Sequence, residues 1–239
     1  MRARDSLRHP NILTCWTAKD SSLLQRPARL RPRTDVIRRR AHEPVVAPLF
    51  EDVSSRLGAK HAETLFNDYA RQPLLSGQLS QLGPGVSWLD LDGDGDDDLV
   101  VPDGAGGELA WYRNDPHRFT RVPLGLPAGD LDFTMAVGLP TAAGVSMLVG
   151  RSNYQAKSLP EALAVPPVVK LDFAPGGRRL GPPASVVEPD TASVGAMALA
   201  DVDGDGDLDL FVGNRVTPGT YPFPPSSHIY LNHGGRFAR

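Results

Sequence analysis

Cysteine is almost missing from this chain: Cys15 is the only one in 239 residues. An internal disulfide is therefore excluded. Aromatic residues make up only 7%. No uncharged run is long enough to suggest a membrane helix. The longest candidate, 133–150, spans 18 residues and is interrupted by Pro140 and three glycines, short of the roughly 20 apolar residues that a span needs. No apolar segment of about 7–15 residues follows the basic N-terminus, so a secretory leader is not visible. Catalytic signatures are missing as well. The six histidines form no H-E-x-x-H pattern. The Gly85–Trp88 and Gly144–Met147 stretches lack the second glycine of a nucleophile elbow. No glycine-rich phosphate loop follows a strand. These absences make a non-enzymatic protein the first expectation.

Glycine and proline, by contrast, are plentiful, at 24 and 23 residues. Short β-branched or apolar runs stopped by Gly or Pro point to an all-β fold. Charge is divided unevenly. Residues 1–45 hold ten Arg and one Lys against four acidic residues, a net of +7, while the remainder carries −10. The first segment shows no hydrophobic periodicity and reads as a basic, disordered extension. Residues 46–239 form the folded part. Nucleic acid is not an expected partner.

Two stretches dominate the folded part. Asp90–Asp98 contains six Asp in nine residues and Asp201–Asp209 five in nine. Such crowding of like charge in one turn is unfavourable unless a cation sits in it. Ca²⁺ takes six to eight oxygen ligands at about 2.3–2.6 Å. Asp90, Asp92 and Asp94, like Asp201, Asp203 and Asp205, fall at alternate positions from which carboxylates converge on one ion. Gly95 and Gly206 occupy the sixth position, where a sharp turn is easiest without a Cβ. Asp96 and Asp207 offer backbone carbonyls at the seventh, and Asp98 and Asp209 close the shell. Asp97 has no ligand role and is expected in solvent. An EF-hand is excluded, since its twelfth position must be acidic and here it is Val101 and Val212. Apolar runs at 86–89, 99–102, 197–200 and 210–213 flank the loops, so each unit reads strand, metal loop, strand.

On these loops and strands the chain resembles the FG-GAP/VCBS-repeat family, β-propellers such as the integrin α-chain head and the cartilage-acidic-protein-like proteins. The resemblance implies Ca²⁺ in two blade hairpins, a site outside the cell or in a periplasm, and a protein or carbohydrate ligand. The alternative is the propeller part of a secreted enzyme, such as a polysaccharide lyase or a hydrolase. A cluster of Lys, Arg, Tyr or His converging on one face would favour that alternative.

The repeat extends further. The Asp loops lie 111 residues apart, and a degenerate copy stands between them. In it Thr134–Val137 and Met147–Gly150 match the flanking strands, while Gly138, Pro140, Ala142 and Ser146 replace the ligands. Outer strands are expected at Trp111–Asn114, Val169–Asp172 and Ile229–Asn232. Phe50–Val53 reads as the last strand of an earlier blade. The sum is a partial propeller of about three blades, whereas a closed ring typically needs about 4–8. The chain is therefore expected to be a piece of a longer propeller or to complete itself with another chain. The 54–84 segment reads as a loop insertion with one helical turn. Tyr154, Tyr221 and Phe223 are the aromatics expected on exposed loops, where binding residues usually lie.

Overall fold

Apolar side chains at every position of a strand, rather than at alternate ones, mark a sheet covered on both faces. The 144–151 segment carries Met147, Leu148 and Val149 in succession, and all three are fully buried. The computed structural model describes residues 49–116 and 118–239, and the basic extension at 1–45, with Cys15, lies outside the described residues. The fold is all-β, built as three four-stranded antiparallel sheets.

Each sheet is a run of four strands consecutive in the chain. Sheet 1 holds β1 (Ser87–Leu89), β2 (Asp98–Val101), β3 (Glu108–Asp115) and β4 (Arg118–Pro127). Sheet 2 holds β5 (Phe133–Thr141), β6 (Gly144–Arg151), β7 (Val168–Ala174) and β8 (Arg178–Ser185). Sheet 3 holds β9 (Ser193–Ala200), β10 (Asp209–Val216), β11 (His228–His233) and β12 (Arg236–Ala238). The strands expected around both Asp loops, in the degenerate copy and at the three outer positions all form. The Gly104–Gly107 segment makes the turn between β2 and β3.

The sheets stack in chain order. Val100, Leu109 and Trp111 of sheet 1 pack against Met147, Val149, Val169, Leu171 and Phe173 of sheet 2. The opposite face of sheet 2, through Leu148 and Val168, packs against Val194, Met197, Leu210, Val212 and Tyr230 of sheet 3. Each sheet thus has a trailing face, toward the start of the chain, and a leading face. Close approach needs small residues on the first strands. Leu89 lies over Gly138, where an added Cβ would stand 2.9 Å from a Leu89 methyl carbon.

Three details differ from the sequence expectation. Phe50–Val53 forms no strand, and Phe50 is exposed. The insertion has two helical turns instead of one, α1 (Ser54–Leu57) and α2 (Asp68–Arg71), the second capped by the Asn67 side chain accepting from the Ala70 N–H at 3.0 Å. In the degenerate copy the hairpin closes through a tight turn in which Thr141 pairs with Gly144. Gly138, Pro140 and Ser146 are consequently paired strand residues, and only Ala142 sits in the turn. The third helix, α3 (Leu159–Ala164), lies in the long connection between β6 and β7. Among the described residues no helix is long and apolar enough to cross a membrane.

Leu148 lies between two sheets, so Leu148→Ala leaves a cavity there and should cost about 2–5 kcal/mol in urea denaturation. The same truncation of Leu82, 54% exposed, should cost less than about 1 kcal/mol.

Candidate metal centre

Both Asp loops sit at the same place in their sheets, joining the first strand to the second. In each, the residue before the loop pairs with its last Asp: Leu89 with Asp98, and Ala200 with Asp209. The internal geometry repeats bond for bond. One oxygen of Asp90 accepts from the Gly93 N–H at 2.7 Å and the other from Gly95 at 3.1 Å. Asp201 accepts from Gly204 and Gly206 at 2.7 and 3.1 Å. Asp94 accepts from the Asp96 N–H, and Asp205 from Asp207, both at 2.9 Å. Gly95 and Gly206 have φ of 95° and 94°, and Gly93 and Gly204, two residues earlier, 75° and 80°. The sequence reading assigned a turn only to the first pair; the structure requires glycine at both.

Asp98 and Asp209 do more than close a shell. Each is buried. One oxygen of Asp98 accepts from the Leu91 N–H at 3.2 Å and the other from the Asn114 N–H at 2.8 Å. Asp209 accepts from Val202 and Asn232, both at 2.8 Å. The Asn side chains complete the motif: Asn114 Nδ2 donates to the Asp97 carbonyl and Asn232 Nδ2 to the Leu208 carbonyl. These two asparagines were legible only as parts of outer strands; their recurrence in a Tyr-x-Asn run, at 112–114 and 230–232, was the available signal.

Carboxylate oxygens converge in both loops. Those of Asp90, Asp92 and Asp94 lie within 4.8 Å of one another, as do those of Asp201, Asp203 and Asp209. Two ligands of one Ca²⁺ stand at most about 5 Å apart, so both sets fit a shared ion, and an all-oxygen donor set suits a hard cation. The expected sets are only partly assembled this way: Asp98 is not in the first triplet, whereas Asp209, with the same pair of N–H donors, is in the second, and Asp205 falls in a different triplet, with Asp203 and His233. Asp207 directs its side chain to the Gly234 N–H at 2.8 Å. Asp96 and Asp97 are exposed.

The electrostatics differ between copies. Burial raises the Asp92 carboxyl above its ordinary value, and the charges of Asp98, Asp94 and Asp90 add to that. Burial also raises Asp98, against the pull of the Asn114 and Leu91 N–H groups. At Asp209 the equivalent N–H groups of Asn232 and Val202 prevail and the carboxyl is lowered. The second loop also has an imidazole nearby, His233 Nδ1 at 3.5 Å from Asp205. The equivalent residue in the first copy, Asp115, is paired with Arg113 at 2.9 Å.

A second polar cluster lies at the other end of the strands, under the 62–80 segment. Asp132 accepts from the Ala105 N–H at 2.9 Å and from Gln155 Nε2 at 2.6 Å. Burial and the charge of Asp132 raise the Glu63 carboxyl. The Arg215 guanidinium is lowered by burial, an effect partly offset by Asp132 and Glu63. Arg71 lies over the ring of Tyr154, 5.4 Å from its centroid, and Phe66 meets the same ring edge-on. Tyr154, expected in solvent, is fully buried, while Tyr221 and Phe223 are exposed. No periodicity could have shown this, because Tyr154 is covered by residues more than 80 positions earlier.

Compared with models of known protein families and with curated proteins, the chain matches none.

Asp68 anchors the covering segment, accepting from the Leu79 and Ser80 N–H groups at 2.9 and 3.0 Å and from the Ser80 hydroxyl at 2.5 Å. Burial alone would raise its carboxyl, but the Ser80 hydroxyl and these N–H groups outweigh it and hold it below the ordinary 3.8. Its stabilisation is therefore complete above pH 3.8 and fades as pH falls through the lower folded value. Asp68→Asn should cost roughly 2–3 kcal/mol at neutral pH. Thermal melts down the acid range should show the gap from wild type closing below pH 3.8.

Proposed function

We propose that this chain is a calcium-binding module of the FG-GAP/VCBS-like propeller type, non-catalytic, working outside the cell or in a periplasm, with a protein or carbohydrate ligand. The observation that carries the reading is the duplication: two Asp loops, far apart in the chain, repeat the same hydrogen bonds and bring their carboxylates together at the same joint of the first and third sheets. An unselected acidic turn has no reason to recur with its asparagine partner. Three successive four-stranded meanders, packed face to face in chain order, support the propeller part of the reading.

Asp90, Asp92 and Asp94 would hold one ion, and Asp201, Asp203, Asp205 and Asp209 the second, with the carbonyls of Asp96 and Asp207 as further ligands. The ion supplies positive charge where several carboxylates repel one another, and it performs no reaction. The chain's own residues do the rest. Asp98 and Asp209 lock each loop to the third strand of its sheet, so that loading the loop stiffens the hairpin. Connections at the other strand ends, including the exposed Tyr221 and Phe223, are the surfaces offered to a partner.

The enzyme reading gains one point from the convergence of Arg71, Arg215 and Tyr154. Full burial of Tyr154 weighs against it, since a polymeric substrate would not reach the hydroxyl.

Calcium should raise the melting temperature and EDTA should lower it. At about ten times Kd each loaded loop contributes about 1.4 kcal/mol, with Kd on the order of 10⁻⁴–10⁻³ M for loops in extracellular modules. Asp205→Ala should remove the second loop's share and leave the first loop's intact, as counted by isothermal titration. A melting curve indifferent to both reagents would remove the metal from the reading.

A further inference from the structure

Among the described residues the sheet-on-sheet contact that builds this molecule is made twice, and the leading face of sheet 3 and part of the trailing face of sheet 1 are left open. On sheets 1 and 2 the leading face is sealed: Val100 of β2 and Leu148 of β6 are each 0% exposed. The equivalent residue of sheet 3 is Phe211. The runs 147–150 and 210–213 match position for position, and Leu148 pairs with Val137 as Phe211 pairs with Ala198. Yet Phe211 is 41% exposed, and Ile229, its neighbour on β11, is 46% exposed. Ala196, Ala198 and Ala200 line the same face on β9 and are exposed as well. A solvated sheet face carries polar side chains in alternation; this one carries alanine, phenylalanine and isoleucine.

The other end shows the complementary half. On the trailing face of sheet 1, Leu57 and Phe119 cover Leu99, Ala110 and Tyr112, but Trp88, beside Leu99 on β1, is 55% exposed. The two established contacts are both leading-to-trailing, and the first fits a large side chain, Leu89, over a small one, Gly138. The open pair offers the same match with the sizes exchanged: a row of alanines on β9 and an indole on β1.

We propose that the leading face of sheet 3 docks on the trailing face of sheet 1 of a second copy of this chain. The partner follows from continuity, because the contact extends the stacking already present and both halves lie on one molecule. A head-to-tail contact either closes into a ring or propagates. Two copies supply six sheets, within the roughly 4–8 of closed propellers. Ring closure rests on the propeller reading above, whereas the contact rests on the stacking alone.

The test is light scattering and sedimentation equilibrium on the full chain and on two variants, Phe211→Asp and Trp88→Asp, with circular dichroism to follow folding. Wild type should be a dimer at micromolar concentration. Each variant alone should be monomeric, with its dissociation constant raised at least about ten-fold, the size expected for losing a central aromatic anchor. Mixed together, the two variants should form a heterodimer, because one undamaged leading face then meets one undamaged trailing face. A misfolded variant could not restore association in this way. A wild type that stays monomeric at high micromolar concentration overturns the proposal, whether the face is covered by residues 1–48 or by another protein. So does a dimer that survives both substitutions, or a mixture that fails to associate. The calcium response is measured separately, so the metal reading and the docking reading can each fail alone.

Discussion

One buried carboxylate in each loop-bearing sheet ties the rest together. Asp98 and Asp209 accept from an N–H inside their own loop and from the N–H of an asparagine on the third strand. A single side chain therefore joins the loop, the hairpin and the neighbouring strand. Leaving those donors unpaired in a buried place would cost about 1–3 kcal/mol each. With this anchor in place, the preceding carboxylates are presented on a defined backbone at the joint between the first two strands. In a mobile turn they could move apart and relieve their repulsion. Here the backbone brings them together, so that their charges repel at close range.

The stacking of sheets sets the second constraint. In the interior sheet β6 is apolar on both sides, and each contact places a leading face on a trailing face. Small residues on the first two strands of sheet 2, Gly138 and Gly150, let the sheets approach: an added Cβ at Gly150 would meet Val194 at 2.9 Å. The same requirement explains why sheet 3 shows an apolar face to solvent. Among the described residues Phe211 is half-exposed at the position where Leu148 is buried in sheet 2.

Much of this was legible in the chain. The alternation of acidic and glycine residues located both loops, and the flanking apolar runs gave the strands on either side. The degenerate copy was recognisable because Met147–Gly150 repeats Leu210–Gly213, although the tight turn that replaces the loop was not. Phe50–Val53 misled because a strand needs a neighbour, and none is formed there. Tyr154 misled because its segment looks like an exposed connection. Only the path of residues 62–80 over it, fastened by Asp68 and Arg71, puts it inside.

By itself the sequence determined the strand-loop-strand units, the crowding of aspartates in each loop and the all-β class, because spacing along the backbone dictates which side chains a tight turn can bring together. The tertiary structure alone decided which acidic residues anchor and which face the loop interior, where the Glu63–Asp132–Arg215 cluster assembles, and which apolar face is left open. Those outcomes depend on contacts between residues tens of positions apart, and no local period encodes them.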